Sequence, residues 1–259
     1  MPWGETAQIR PLRSTLRYLE PQSLTFMDLD SKRRLRPRMT DSDWLVLRSM
    51  RSAIEQIAAQ VTKSGQVAID LGCGDQPYRS VFAARGLVYR GADFENAEIH
   101  IHESGRVEAA DRSADLVLSF QVLEHVRDVG KYLGEALRIL RDNGWLILST
   151  HGAWLYHPHP EDHRRWTRQG LLAEMATHGF ETTECIAILG PLAWTTIVRL
   201  TCGYQLCLRV PLIGRALAGL LALFMNTRGY VEDLLTPEWV RQDNACVYVT
   251  LARAAGRSS

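Results

Sequence analysis

Val67-Ala68-Ile69-Asp70-Leu71-Gly72-Cys73-Gly74 is the stretch that decides the fold. The apolar run from Val67 to Ile69 has the character of a strand buried on both faces. Two glycines follow at once, and Pro77 suits the first turn of a helix just beyond them. A strand, a glycine turn and a helix start let backbone approach a nucleoside-type ligand closely. A second strand-like run, Leu87-Val88-Tyr89-Arg90-Gly91-Ala92, ends on Asp93, about twenty residues past the turn. A carboxylate at that place can accept hydrogen bonds from both hydroxyls of a ribose.

The dinucleotide fingerprint asks for a third glycine, and this chain has Pro77 there. Three further segments point elsewhere. These are Ala114-Asp115-Leu116-Val117-Leu118-Ser119-Phe120, then Val122-Leu123-Glu124-His125-Val126, and Asn143-Gly144-Trp145-Leu146-Ile147-Leu148-Ser149-Thr150. With the glycine turn, and in this order, they resemble the class I S-adenosylmethionine-dependent methyltransferases. The likeness covers roughly residues 65–190 and 244–253. It implies S-adenosylmethionine as cofactor. Gly72, Cys73 and Gly74 would lie along its amino-acid moiety, and Asp70 would meet the ammonium or an ordered water. Asp93 would take the ribose diol, Phe94 would lie against adenine, and Gln121 would face the methionine part.

The 259 residues suffice for one elaborated domain, and 46% hydrophobic residues argue against disorder. A formal net charge of +1 gives no global attraction to nucleic acid, and none is expected as a partner. Five cysteines without a CxxC pair read as reduced thiols of a cytoplasmic protein. The N-terminal residues lack the basic start and apolar stretch of a signal peptide. The expected organisation is an extension over 1–40, carrying the basic cluster 32–38, and a methyltransferase domain over 41–259.

Thr40-Asp41-Ser42-Asp43 has the form of a capping box before an amphipathic helix with Leu47, Met50, Ile54, Ile57, Ala58 and Val61 on one face. Strands are expected at 66–70, 87–92, 98–102, 115–119 and 145–150, with a sixth at 181–188 and a seventh at 245–251. Their alternation with helices predicts an α/β, Rossmann-like sheet of seven strands, mostly parallel, covered on both faces. Residues 191–240 form a helical insertion between strands six and seven. Leu212, Ala216, Gly219, Leu220 and Leu223 fall on one stripe, with Leu217, Leu221 and Phe224 beside it. Three roles suit so wide an apolar arc: a core helix, a lid or dimer surface, or a peripheral contact with the inner membrane face through 191–235. Arg199, Arg209, Arg215 and the cluster 32–38 would support the last.

The loop after the fifth strand, His151 to Thr167, holds four histidines. Methyl transfer to a hydroxyl needs a proton removed, and histidine suits that at neutral pH. His151, His157 and His159 are the candidate bases. Asp162 would orient a histidine or hold a substrate hydroxyl, Arg164 and Arg165 would hold an anionic group, and Thr167 would cap the next helix. His157, His159 and His163 match no standard zinc spacing, so no metal is expected. Asp115, at its strand's start, reads as structural. Glu124 and His125 read as the opening of a helix, the Glu serving its dipole.

The expected activity is methyl transfer from S-adenosylmethionine to an oxygen, ahead of nitrogen or carbon. The acceptor is a small molecule, a glycan or a lipid-linked intermediate. A cofactor-binding protein of the same fold without turnover, and an NAD-dependent oxidoreductase, are the rival readings.

Overall fold

The computed structural model of the chain describes residues 32–158 and 161–256. Seven strands, β1 (Val67–Leu71), β2 (Val88–Asp93), β3 (Ile99–His100), β4 (Ala114–Phe120), β5 (Leu140–His151), β6 (Phe180–Ile188) and β7 (Val247–Ala254), form one sheet in the order β3-β2-β1-β4-β5-β7-β6. The first five are parallel neighbours, and β7 runs antiparallel between β5 and β6. This is the expected Rossmann-like fold. β5 begins five residues before the predicted start and carries a register shift against β4 near Ala114.

Two hydrophobic cores flank the sheet. One side holds α1 (Trp44–Val61), whose Leu47, Met50, Ile54, Ile57 and Ala58 are buried as the periodicity requires, and the short α2 (Arg79–Ala83). The other holds α3 (Val129–Ile139) and α4 (Arg168–Thr177). Thr167 caps α4, accepting from the Gly170 N–H at 3.0 Å. The capping box before α1 does not form: the N-cap is Asp43, whose carboxylate pairs with Arg33 and accepts no capping bond from the helix, and Asp41 accepts instead from the Arg38 N–H. Helix α2 also starts later than Pro77 suggests, because Gln76 adopts a positive φ of 55° and delays the turn.

Between β6 and β7 lies a helical hairpin, α5 (Pro191–Leu208) and α6 (Gly214–Leu235), followed by α7 (Glu238–Asp243). The face of α6 turned inward is Gly214, Ala218, Ala222, Met225, Asn226 and Gly229. Of the three roles that suit the leucine stripe by sequence, its outward orientation disfavours the core helix. Small residues let the helices approach closely, which leucines in those places would prevent. Asn226 pins the hairpin to the segment before α1, donating to the carbonyls of Met39 and Asp41.

Asp115 sits at the amino end of β4, far from the ligand edge. It accepts from the Val67 N–H at 2.8 Å and from Arg141 at 2.6 Å, tying β1, β4 and β5 together. Asp115→Ala is expected to destabilise the domain by about 1–3 kcal/mol, the usual cost of orphaning a partly buried donor. Urea unfolding checks this, and ligand binding by the folded variant should be unchanged.

Candidate active site

Parallel strands bring the carboxyl ends of β1, β2, β4 and β5 to one edge. After β1 the chain turns through Gly72, with φ at 70° and its N–H donating to the Ala92 carbonyl. A Cβ there would lie 2.9 Å from the Val122 methyls, so only glycine fits. Gly74, φ 49°, has open space where a side chain would be. Its N–H donates to one Asp93 oxygen, and the Phe94 N–H donates to the other, both at 2.8 Å. Asp93 is thereby fixed at the rim of the turn with lone pairs to spare. Phe94 is exposed beside it.

Asp70 is buried under this turn. Tyr89 donates its hydroxyl to one oxygen, and the other has no hydrogen-bond partner among the described residues. Burial pushes its carboxyl up to about 7. Burial likewise pushes the Cys73 thiol up to about 12, so it is inert, and this residue offers backbone only. Gln121 takes φ at 57° after β4, its N–H donating to the Ser149 carbonyl and its side-chain amide to the Ser149 hydroxyl. An orphaned acidic oxygen, a glycine turn without side chains and a rim carboxylate fit a nucleoside bearing an amino acid.

Two residues past Val122, Glu124 is fully buried. It opens no helix: it lies in a turn, and α3 starts later, capped by Asp128. Thr150 donates to Glu124 Oε2 at 2.8 Å, while Oε1 has no hydrogen-bond partner among the described residues. Around Oε1 stand His151 Nε2 at 3.3 Å and His125 Nε2 at 4.0 Å. The His157 ring lies 4.8 Å from that of His151 and 5.0 Å from that of His125, edge to face with each. His151 stacks on Trp154 at 5.3 Å, and Trp154 on Trp194 of α5 at 5.1 Å.

Electrostatics agree with the packing. Burial holds Glu124 up to about 7. Burial also pushes His151 well below its ordinary value, helped by His157, Arg165 and His125. His157 is lowered by burial too, against the pull of Asp162. Both imidazoles are therefore neutral at pH 7 and able to accept a proton.

The other loop residues build the frame. Asp162 grips Arg165 through two hydrogen bonds, 2.5 and 2.6 Å, and accepts from the His157 backbone N–H. This guanidinium holds the Asp162 carboxyl well below the usual range. Arg165 also donates to the carbonyls of Trp154 and Leu155, and Arg164 to those of Val126 and Arg127. Asp162 Oδ2 also lies 3.5 Å from His157 Nδ1, a placement that suits orienting this histidine, while Arg164 and Arg165 brace backbone carbonyls of the site. His163 turns to Glu161. His159 lies outside the described residues. Glu124, His151 and His157 each offer a ligand atom within 4.8 Å of the others, a metal-capable set that the loop's spacing did not disclose.

A family model described as a methyltransferase domain matches residues 12–184, well over half of the chain. The chain belongs to this family, the class I methyltransferases, whose methyl donor is S-adenosylmethionine. An uncharacterized methyltransferase of Mycobacterium sp. (strain KMS) is 31% identical over 112 residues, 39% of this chain and 44% of its own length. A ubiquinone biosynthesis O-methyltransferase of Thiobacillus denitrificans is 29% identical over 104 residues, 34% of this chain and 45% of its own. The matches therefore span less than half of these relatives. Among solved structures, phosphoethanolamine N-methyltransferase 2 of Haemonchus contortus, bound to phosphomonomethylethanolamine and S-adenosylhomocysteine, aligns with a TM-score of 0.50 and 14% identity, over 87% of this chain and 59% of its own. The cyclase SpnF aligns with a TM-score of 0.50 and 16% identity, over 79% and 81%. These likenesses are of fold alone.

The buried acids carry a pH signature. Glu124 binds its proton more tightly folded (about 7) than at its ordinary 4.5, so its contribution to stability declines as pH rises through this window. Asp70 acts in the same direction. The lowered histidines act oppositely, below their ordinary 6.5. Between pH 6.5 and 8 the melting temperature of the ligand-free protein should therefore fall. Glu124→Gln, neutral throughout, should show a shallower fall by scanning calorimetry; an equal slope would refute the buried-acid assignment.

Proposed function

We propose that this chain is an S-adenosylmethionine-dependent O-methyltransferase. In this reading the acceptor is a small molecule, a glycan or a lipid-linked intermediate. The observation that carries it is the buried, half-satisfied Glu124 carboxylate against neutral His151, beside the glycine turn. An amine acceptor with a free lone pair needs no such device, whereas a hydroxyl must lose its proton. The ubiquinone biosynthesis relatives, named as O-methyltransferases, support the choice of oxygen.

In this reading Gly72, Gly74 and the free Asp70 oxygen receive the amino-acid end of the cofactor, Asp93 the ribose, and Gln121 the methionine part. The bound cofactor supplies an electrophilic methyl on a sulfonium. The protein's share is alignment and proton removal. His157, lined against His151 and His125, takes the acceptor proton. Glu124 fixes the His151 ring and balances the positive charge that the histidines gain. Asp162 and Arg165 hold the His157 backbone in place. A second reading rests on the same triad holding a divalent cation that lowers the acceptor's pKa, favoured by the orphaned Glu124 oxygen.

Asp93→Ala should weaken S-adenosylhomocysteine binding by at least about tenfold, since charged hydrogen bonds contribute roughly 1.5–3 kcal/mol. Calorimetry on the folded variant checks this, and unchanged affinity removes the ribose role. His151→Ala or His157→Ala should lower turnover by roughly 10²–10⁴-fold with cofactor affinity preserved. Turnover of the parent enzyme should reach its plateau by neutral pH, with an acid limb below about 6.5, because His157 is lowered. Full turnover in both variants and their double would leave the loop as an enclosure only. Loss of activity in chelator, restored by a divalent cation, would select the metal reading.

A further inference from the structure

We infer that the α5–α6 hairpin is a docking element for an anionic membrane surface. The hairpin buries its small-residue face on the domain and turns its large apolar side chains outward. At the tip, Leu206, Val210, Leu212 and Ile213 are 61%, 40%, 106% and 56% exposed. Along α6 a stripe of Leu217, Leu220, Phe224, Val231 and Leu235 recurs at helical spacing on the side opposite the buried residues, each at least 38% exposed. Continuous apolar surface of this extent is uncommon on a face left to water.

Charge decides what covers it. From Pro191 to Val231 there is no Asp or Glu, although the chain has 29 acids in 259 residues. The charged residues over that span are Arg199, Arg209, Arg215 and Arg228, all exposed. Arg209 and Arg215 bracket the apolar tip, and among the described residues neither they nor Arg199 make an ion pair. Acids resume at Glu232 and Asp233, and both are engaged at the root. Glu232 accepts from Thr196 and Arg228, and Asp233 from the Gly190 N–H. A second copy of this chain would meet cations with cations on a symmetric contact, whereas phosphate-bearing lipid complements them. Among the described residues no helix is long and apolar enough to cross a membrane, so the contact is interfacial.

This inference is independent of the reaction, but it has a geometric consequence. Trp194, at the root of the hairpin, stacks on Trp154, which stacks on His151. A hairpin seated on a bilayer therefore holds the acceptor loop beside a surface from which an amphiphilic acceptor could be drawn.

The test is sedimentation of the full chain with vesicles of phosphatidylcholine alone or mixed with phosphatidylglycerol. Binding is expected with the anionic vesicles at low salt, and it should weaken as salt rises. Arg209→Glu and Arg215→Glu should each lower it by at least about fivefold, the equivalent of roughly 1 kcal/mol per cation. The pair Leu212→Glu and Ile213→Glu should abolish it with the melting temperature unchanged, since both side chains are exposed. Asp93→Ala should bind vesicles like the parent, which separates failure here from failure of the cofactor reading. Parent protein that stays in the supernatant with anionic vesicles at low salt overturns the inference. So does a dimer that Leu220→Glu and Phe224→Glu dissociate, if vesicle binding is absent.

Discussion

The constraint on which the site depends is the meeting of two turns. β1 and β4 are paired in parallel, so the chain leaving each must pass the other at the same edge. Gly72 and Val122 make that passage in contact, and a single added Cβ would close it to 2.9 Å. The consequence is spatial economy. The turn assigned to the cofactor and the turn leading to Glu124 cannot move apart without breaking the central pairing of the sheet. The groups that would hold the methyl donor and those that would activate the acceptor are thus fixed to one rigid frame. Reactions that depend on alignment benefit from such a frame, since small misplacements are costly.

Glu124 shows what that frame makes possible. A carboxylate with one oxygen bonded to Thr150 and the other, among the described residues, without a hydrogen bond is unfavourable in a buried place. The domain accommodates it by raising its pKa and by surrounding it with imidazoles that burial keeps neutral. Burial opposes the charged form of each group, the carboxylate of Glu124 and the imidazolium of the histidines. It thus raises the acid and lowers the bases, two opposite shifts with one cause. The Asp162–Arg165 pair stands beside this cluster with its charges mutually satisfied. It shapes the loop, and its Asp162 carboxylate faces His157 Nδ1 at 3.5 Å.

How much of this was legible in the chain follows from the range of the interactions. The strands were legible because burial on both faces leaves continuous apolar runs, and the turn because Gly72 and Gly74 have backbone conformations that favour glycine. Asp93 was legible from its distance along the sequence. Glu124 was not: its neighbours in sequence resemble a helix start, and its partners Thr150 and His151 come from another strand. The bracing contacts of Arg164 and Arg165 were hidden for a related reason. Nothing in the loop's spacing says that two guanidiniums will be used up on carbonyls and on Asp162. A signal was present in the pairing of an acid with an arginine three residues later, but that pattern is common on any surface.

The apolar arc of the hairpin suits three roles by sequence alone, and the packing face in the structure bears on them. Burial of large apolar groups is the commonest source of stability, which makes a core helix one of the three. Here the stripe of Gly214, Ala218, Ala222 and Gly229 packs, and the leucines are left outside. Small residues permit a close helix pair whose contact does not need the large side chains. That frees those side chains for an outer surface without loosening the fold. The same hairpin reaches the acceptor loop through stacked Trp194 and Trp154, a contact that a surface-bound arm would need if its docking were to position the reaction.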